Sequence, residues 1–413
     1  MALKKYMDNI LVLGAGSLQV PLIEMIQSRG YNPVVVSLHS DEPGMLIVKD
    51  KVIGDFCDEE FTLQIAKEWN VIAVVTDQTD LPVRTIAYVN DHLGLPSIGY
   101  KTACLFTDKF LMREKCKEIG VKTIAYSLVD SLEAAKSFFI TLQRPAILKP
   151  INNQGSKGVY KVSSIEELEE KYAEATRYAR GEKILIEEFI TGSELVIEAL
   201  AINGTVTNLV CGDTYYFDVK DAFAAKERVF PSTLDENIVN KALELNKKIV
   251  IGFGLSRGLT HGEYIVDGKD VYLIEIAARG GGVYISSDII PLMTGFNTTS
   301  FIIDIATKET IDMPSIEYKN GCACYIAFFL PEGVISEING VSEVLALPYV
   351  HHNNLDALYT GKHIGRNIDK TSRYFLIMSA ADRAELDKRI STVHNLLQVT
   401  VNTGQENKGI VWD

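Results

Sequence analysis

With 413 residues and a formal net charge of −13, the chain is long enough for two or three domains with buried cores. Its acidic balance argues against nucleic acid as a partner, and no apolar run is long enough to cross a membrane. Six cysteines are scattered without a paired CxxC spacing, and no apolar stretch of signal-peptide type follows the first residues. These features predict a cytoplasmic protein with neither a nucleic-acid nor a membrane partner.

The chain opens with a strand, a glycine turn, a helix and a second strand. The strands are Asn9–Leu13 and Pro33–Leu38, and the turn Gly14–Gln19 leads into a helix that ends at about Arg29. This βαβ pattern is typical of dinucleotide-binding domains, but Gln19 takes the place of the third glycine and no acidic residue ends the second strand. We therefore predict a small doubly wound α/β domain over the first hundred residues, with a nicotinamide-dependent oxidoreductase as an alternative.

Two lysines follow at positions where a phosphate could be bound. Lys109 lies at the start of the predicted helix Phe110–Ile119, where a cation opposes the helix dipole and suggests an anion nearby. Lys149 ends the predicted strand Pro145–Leu148 and precedes the polar loop Asn152–Gly158. A loop of this kind can direct main-chain amides at phosphates. Ordinary surface lysines and a mobile hairpin are the alternatives.

The segment Thr260–Gly282 carries the strongest chemical signal. Two β-rich runs flank Asp267–Asp270, which indicates a hairpin. A three-residue loop, Gly268–Asp270, would place Glu263 directly opposite Glu275, whereas a two-residue loop would place them on opposite faces of the sheet. Facing carboxylates repel each other unless a cation lies between them, and oxygen ligands without His or Cys favour Mg²⁺ or Mn²⁺. A solvated hairpin face with two unrelated carboxylates is the alternative.

Arginines around this hairpin are candidates for anion binding. Arg279 precedes three glycines, Gly280–Gly282, where a ligand can approach the main chain closely. Arg257 and Arg228 could hold a substrate carboxylate, and structural ion pairs explain them equally well.

The order of these motifs resembles the ATP-grasp superfamily, in particular the branch that contains biotin carboxylase, the purine-pathway ligases and the amino-acid ligases that make dipeptides. The resemblance covers most of the chain and implies an ATP-grasp fold of mixed α/β and α+β type. Its expected parts are an N-terminal doubly wound, pre-ATP-grasp α/β domain (1–105), an ATP-grasp domain (106–310) with a lid subdomain at about 122–187, and a small β-rich C-terminal subdomain (311–413).

The resemblance also implies roles for particular residues. Glu263 and Glu275 correspond to the metal-bridging pair, and Arg279, Lys149 and Arg257 are the expected catalytic residues. The expected nucleotide-binding residues comprise two phosphate lysines, the lid loop, the hinge that holds adenine through its backbone, and the ribose carboxylate: Lys109, Lys149, Asn153, Gly155, Ser156, Gly158, Glu187, Glu188, Phe189, Ile190 and Glu194.

Two departures from the family pattern bear on function. Ala277 stands where many relatives carry Asn or Asp, which removes one metal ligand. Gly281 and Val283 stand where biotin carboxylases carry Gln and Glu, so biotin carboxylation is not expected.

The resemblance therefore implies an ATP-dependent carboxylate–amine ligase that uses Mg²⁺ or Mn²⁺. It would form an acyl phosphate from a small carboxylate, such as an amino acid, and couple it to an amine with release of ADP and phosphate. A homodimer is the assembly that the resemblance implies. A catalytically silent ATP-binding protein is the alternative that Ala277 suggests.

Overall fold

The structure is a computed structural model that describes residues 8–151, 158–179, 183–218, 224–365 and 373–412. The described strands, in chain order, are β1 (Asn9–Leu13), β2 (Asn32–Ser37), β3 (Asp50–Ile53), β4 (Val71–Val75), β5 (Tyr126–Val129), β6 (Ala146–Pro150), β7 (Tyr160–Val162), β8 (Ile184–Glu188), β9 (Ser193–Ile202), β10 (Thr205–Tyr216), β11 (Ala225–Phe230), β12 (Arg257–Asp267), β13 (Asp270–Ala277), β14 (Cys322–Phe328), β15 (Gly333–Asn339), β16 (Val350–Asn353), β17 (His363–Ile364), β18 (Tyr374–Ala380), β19 (Gln398–Asn402) and β20 (Asn407–Lys408).

The described α-helices are α1 (Val20–Ser28), α2 (Pro43–Leu46), α3 (Glu59–Glu68), α4 (Val83–Leu93), α5 (Tyr100–Leu105), α6 (Lys109–Glu118), α7 (Leu132–Thr141), α8 (Ile165–Ala179), α9 (Glu236–Gly252), α10 (Ile290–Thr294), α11 (Thr298–Thr307), α12 (Val341–Leu345) and α13 (Arg383–Leu396). Short 3-10 helices cover Ser17–Gln19 and Leu355–Ala357, and a π-helix covers Ile285–Ile289.

The first four strands form a parallel sheet in the order β3-β2-β1-β4. Successive residues of β1 alternate between its two faces. Leu11 and Leu13 pack in the cluster that includes α3, whereas Ile10 and Val12 pack in the cluster that includes α1 and α11. Because both faces are covered by helices, the predicted doubly wound α/β architecture is confirmed. The second face is completed by α11, which lies about 200 residues later in the chain.

A second sheet, here called the lid sheet, has the antiparallel order β5-β8-β6-β7. It carries α7 and α8 on one face. Its β6–β7 connection contains Asn153, Gly155 and Ser156, which lie outside the described residues. Gly158 follows this connection with φ of +75°, and a Cβ there would meet the Tyr178 side chain at 2.7 Å. Glycine is therefore required at this position by both backbone conformation and packing.

The largest sheet, here called the central sheet, is antiparallel and has the order β13-β12-β9-β10-β11-β14-β18-β16. Helix α9 packs on one face, and the segment that contains α10 and α11 packs on the other. The C-terminal region contributes β14, β18 and β16 to this sheet, and only β17-β15-β19-β20 forms a small sheet of its own. The predicted β-rich C-terminal region is therefore partly an extension of the central sheet.

The β12–β13 hairpin differs from the expected one in an informative way. Asp267 pairs with Asp270, so the loop has two residues, the alternative that by itself would place the glutamates on opposite faces. The register then shifts, because Tyr264 pairs with Leu273 whereas Glu263 pairs with Glu275. Ile274 is the extra residue of a β-bulge. The bulge offsets the shorter loop, and the two glutamates face each other as predicted.

No single helix in the described ranges is long and apolar enough to span a membrane. One bent pair, Ile285–Thr294 with Thr298–Thr307, passes by length and composition alone, and both helices contribute to the buried cluster between the N-terminal and central sheets.

Candidate functional site

Two facing carboxylates lie at the centre of the site, and each contacts a cation. Lys109 Nζ lies 2.8 Å from Glu275 Oε1, and Arg228 Nη2 lies 2.6 Å from Glu263 Oε1. Burial alone would raise the pKa of Glu263, but Arg228 and His261 hold it well below its usual range. Glu263 is therefore charged, and both glutamates present oxygen atoms on one face of the sheet.

These carboxylates are suitable ligands for a hard divalent cation. In the part of the chain that the structure describes, no group of three or more His, Cys, Asp and Glu side chains is arranged to bind a metal. Glu263 and Glu275 would therefore need further oxygen ligands from phosphate or water, which is how proteins commonly hold Mg²⁺. Ala277 lies opposite His261 on the same face and contributes no oxygen.

A buried ionic cluster holds the second lysine. Lys149 and Arg113 both contact Glu187, with Arg113 Nε 2.6 Å from Glu187 Oε1. Burial alone would raise the pKa of Glu187, but Arg113 and Lys149 lower it to about 2. Burial lowers the pKa of Lys149, and Glu187 opposes this shift. Glu187 thus fixes the direction of the Lys149 side chain.

The predicted hinge segment, residues 187–190, lies at the end of β8, and part of its main chain is already hydrogen-bonded. Glu187 is paired on both sides within the sheet, and the Glu188 and Phe189 amides donate to carbonyls of neighbouring segments at 2.9 and 2.7 Å. Glu188 is the last residue of β8, where it pairs with Ala146, and the Ile190 amide has no main-chain hydrogen bond among the described residues. The expected contacts of adenine with residues 187–190 remain a prediction, in which the Ile190 amide is the available donor.

Glu194 lies on β9 opposite Ile265, on the sheet face that carries Glu263, and its expected ribose contact remains a prediction. Its Oε2 accepts a hydrogen bond from the Tyr216 hydroxyl at 2.5 Å. Burial, together with the nearby Glu263 carboxylate, raises the pKa of Glu194 to about 7. The carboxyl is thus a hydrogen-bonding group whose charge is only weakly favoured at neutral pH.

Arg279 is held by a carboxylate that the sequence interpretation missed. Its Nε and Nη2 donate to Asp80 at 2.7 and 3.1 Å, and its Nη1 donates to the Gly280 carbonyl at 2.9 Å. These bonds use three of the five N–H donors of a guanidinium. Two donors remain for an anion, in an orientation that Asp80 fixes from the N-terminal domain.

Glu198 connects the glycine segment to the carboxylate pair. Its Oε2 accepts from the Gly281 amide at 2.9 Å, and its Oε1 lies 2.5 Å from His261 Nδ1. A Cβ at Gly281 would come within 2.2 Å of Glu198 Oε1, which excludes any larger residue there. His261 is therefore a buried, hydrogen-bonded histidine, and Gly281 is required by packing.

The N-terminal glycine turn is filled by its own sequence. Gln19 is buried, its Nε2 donates to the Asp77 carbonyl at 2.7 Å, and its Oε1 lies 3.3 Å from an ideal Cβ position at Gly16. The side chain occupies the turn where a dinucleotide would need close access to the backbone. This packing argues against the nicotinamide alternative.

Arg257 does not reach the site. Its guanidinium donates to the main-chain carbonyls of Ile305, Lys308 and Glu309 at 2.6 to 3.0 Å. These carbonyls lie at the C-terminal end of α11, where a cation satisfies unpaired acceptors and complements the helix dipole. The expected catalytic role of Arg257 is corrected to that of a helix cap.

We expect Arg257→Gln to lower the free energy of unfolding by about 1–2 kcal/mol, because charged hydrogen bonds to a helix end are lost. The rate of ADP release should not change. Urea unfolding and an ADP-release assay would measure both quantities, with Arg257→Lys as the charge-retaining control. A loss of activity without a loss of stability would restore the catalytic role.

Asp77 lies beside Gly280, and its raised pKa predicts that the stability of the fold depends on pH. Burial raises the pKa of Asp77 from 3.8 to about 7. Between these values the folded state retains a proton that the unfolded chain has released, so stability falls as pH rises through this window. Asp77→Asn should therefore gain stability relative to the wild-type chain from pH 3.8 to about 7. Urea unfolding over this range, with the exposed Asp41→Asn as control, tests this expectation, and parallel pH curves would contradict it.

Several residues near the site were not predicted, and the sequence patterns that could have indicated them are weak. Arg113 follows Lys109 by four residues on one helix face, and Glu198 follows Glu194 by four residues on one strand face. Both spacings predict proximity to the site once the partner residue is assigned. Asp80 and Tyr216 have no comparable signal, because their positions depend on contacts between distant segments.

Comparison with known proteins identifies a matching domain family, similar sequences and similar structures. Residues 142–288 match the family model described as the ATP-grasp domain. Formate-dependent phosphoribosylglycinamide formyltransferase of Sulfurisphaera tokodaii is 24% identical over 362 residues, which cover 83% of this chain and 86% of that protein. Alanine–anticapsin ligase of Bacillus subtilis is 25% identical over 312 residues, 68% of this chain and 65% of that protein. The solved L-amino acid ligase from Bacillus licheniformis superposes with a TM-score of 0.81 at 21% identity, over 96% of this chain and 100% of that one.

Proposed function

Because residues 142–288 match the ATP-grasp domain, we propose that the chain is an ADP-forming ligase of this superfamily that joins a small carboxylic acid to an amine at the site described above. The observation that carries the proposal is the facing of Glu263 and Glu275 across two strands, with Lys109 2.8 Å from Glu275. Phosphoryl transfer depends on such a cluster of positioned charge rather than on covalent catalysis by the protein.

Each part of the cleft has a role in this reaction. Bound ATP with Mg²⁺ would supply the transferable phosphoryl group and the charge that stabilises it. Glu263 and Glu275 would hold the metal, Lys109 and Lys149 would contact phosphate oxygens, and the Ile190 amide would donate to the nucleobase. The N–H donors of Arg279 that remain beside Asp80 would orient an anionic group.

The chemistry divides into two balanced steps. A carboxylate oxygen of the first substrate attacks the terminal phosphorus of ATP, and the bond to ADP breaks. The amine nitrogen of the second substrate then attacks the carboxyl carbon, inorganic phosphate leaves, and the nitrogen loses a proton. Exclusion of water protects the acyl phosphate between these steps.

The test is release of ADP and phosphate from Mg-ATP across a matrix of amino acids and small carboxylic acids, supplied singly and in pairs. Release that requires a particular pair, with a product of the combined mass less water, supports the ligase. Tight ATP binding without release across the matrix favours the catalytically silent alternative that Ala277 suggests.

Location and assembly belong to the same proposal. All six cysteines are free thiols, which accords with a reducing cytoplasm. A homodimer is proposed from the resemblance, and light scattering of the purified chain would measure its mass against the 45.8 kDa of one copy.

A further inference from the structure

Arg113 is a buried residue that joins three separate elements around the site. It lies on α6, four residues after Lys109, and its side chain is 1% exposed. Its Nε donates to Glu187 Oε1 on β8 at 2.6 Å, and its Nη2 donates to the Ile274 carbonyl on β13 at 2.6 Å. A single guanidinium therefore connects the helix of the first phosphate lysine, the lid sheet and the central sheet.

The contact with Ile274 is at the bulge that sets the position of Glu275. With a two-residue loop and no bulge, the register of Tyr264 with Leu273 would continue and place Ile274 opposite Glu263. Glu275 would then point to the other face of the sheet. A bulged residue loses its regular ladder partner, so a charged donor on its carbonyl stabilises the bulge and, through it, the facing of the two carboxylates.

Through its contact with Glu187, Arg113 also affects the position of Lys149, the second predicted phosphate lysine. Glu187 is 2% exposed and accepts hydrogen bonds from both Arg113 and Lys149. Arg113 has the planar set of donors that can serve Glu187 and Ile274 at once, whereas a lysine ammonium at this position is a single point charge.

We propose that Arg113 is a positioning residue that couples the placement of Lys149 to that of the metal carboxylate Glu275, without touching either substrate. The inference rests on the proposed nucleotide and metal roles of this cleft. It implies that the increase in ADP affinity caused by Mg²⁺ depends on Arg113.

Calorimetry of ADP binding with Mg²⁺ and with a chelator gives a direct test, because it needs no knowledge of the acceptor substrates. In the wild-type chain, Mg²⁺ should increase ADP affinity. In Arg113→Lys this increase should shrink about 10-fold or more, as happens when a residue that orients a metal ligand is replaced, while affinity in chelator falls by a smaller factor because Glu187 still holds Lys149. Arg29→Lys is the matched control, since Arg29 also joins two segments, through Ser300 and Asp304 at 2.7 to 3.1 Å, away from the cleft.

Equal losses of affinity with and without Mg²⁺, or no loss at all, would overturn the coupling and leave Arg113 as a support of the fold. If Arg113→Lys does not fold, Arg113→Gln is the second variant, because Lys149 continues to neutralise Glu187 and no buried ion is left unpaired. The same selective loss is expected there. Absence of ADP binding by the wild-type chain would instead reject the proposed function.

Discussion

Glu275→Gln is expected to abolish ADP formation, a loss of at least ~100-fold, because one preorganised charge at the site of phosphoryl transfer disappears. The fold should remain intact, since the Glu275 side chain is 33% exposed and contacts Lys109 rather than the hydrophobic core. ADP release with the active substrate pair, together with thermal unfolding, measures both expectations.

The same strand offers the control for Glu275→Gln. Asp270 also lies on β13, is 45% exposed, and pairs with Lys122 and Lys241 at the tip of the hairpin. Asp270→Asn removes an equal charge outside the cleft and should leave turnover unchanged. Normal turnover in Glu275→Gln would reject its role as a metal ligand, and equal losses in both variants would indicate a general effect on the hairpin.

Lys149→Ala should slow ADP release by at least ~100-fold, the typical result of removing one contact to the transferred group. The lid should still fold, because Arg113 continues to neutralise the buried Glu187 carboxylate at 2.6 Å. Single-turnover kinetics at saturating ATP would separate the effect on transfer from an effect on nucleotide binding.

Lys136 is the matched lysine for this experiment. It lies on α7 of the same lid and pairs with Glu169 at 2.5 Å, with 29% of its side chain exposed. Lys136→Ala should retain the wild-type rate. A wild-type rate in Lys149→Ala as well would mean that Lys149 only balances the charge of Glu187 and makes no contact with phosphate.

Local features of the site were predictable because they depend on short-range rules. The strand Asn9–Leu13 has the predicted bounds, and the helix predicted over Phe110–Ile119 is found at Lys109–Glu118. The facing of Glu263 and Glu275 was expected for a three-residue loop and is found with a two-residue loop. Because side chains alternate along a strand, Glu275 can lie only on the same sheet face as Glu263 or on the opposite face. The bulge at Ile274 places it on the same face, as a three-residue loop would.

Longer-range contacts were not predictable from local patterns. Arg257 looks identical in sequence to an anion-binding arginine, and only the position of α11 reveals its carbonyl partners. Likewise, Glu187 is one of four consecutive residues expected in the adenine hinge. Its pairing on both sides within the lid sheet is a long-range contact that local patterns do not reveal.

The packing of α11 on the N-terminal sheet affects how the chain can be synthesised and folded. Ile10 and Val12 share a buried cluster with Ile302 and Ile303 of α11. A nascent chain that has reached residue 105 therefore exposes an apolar strip of its first sheet until residue 307 has been added. At about 5–20 residues per second, this interval lasts roughly 10 to 40 seconds. A fragment that ends near residue 105 should consequently aggregate, and a fused α11 sequence should restore its solubility.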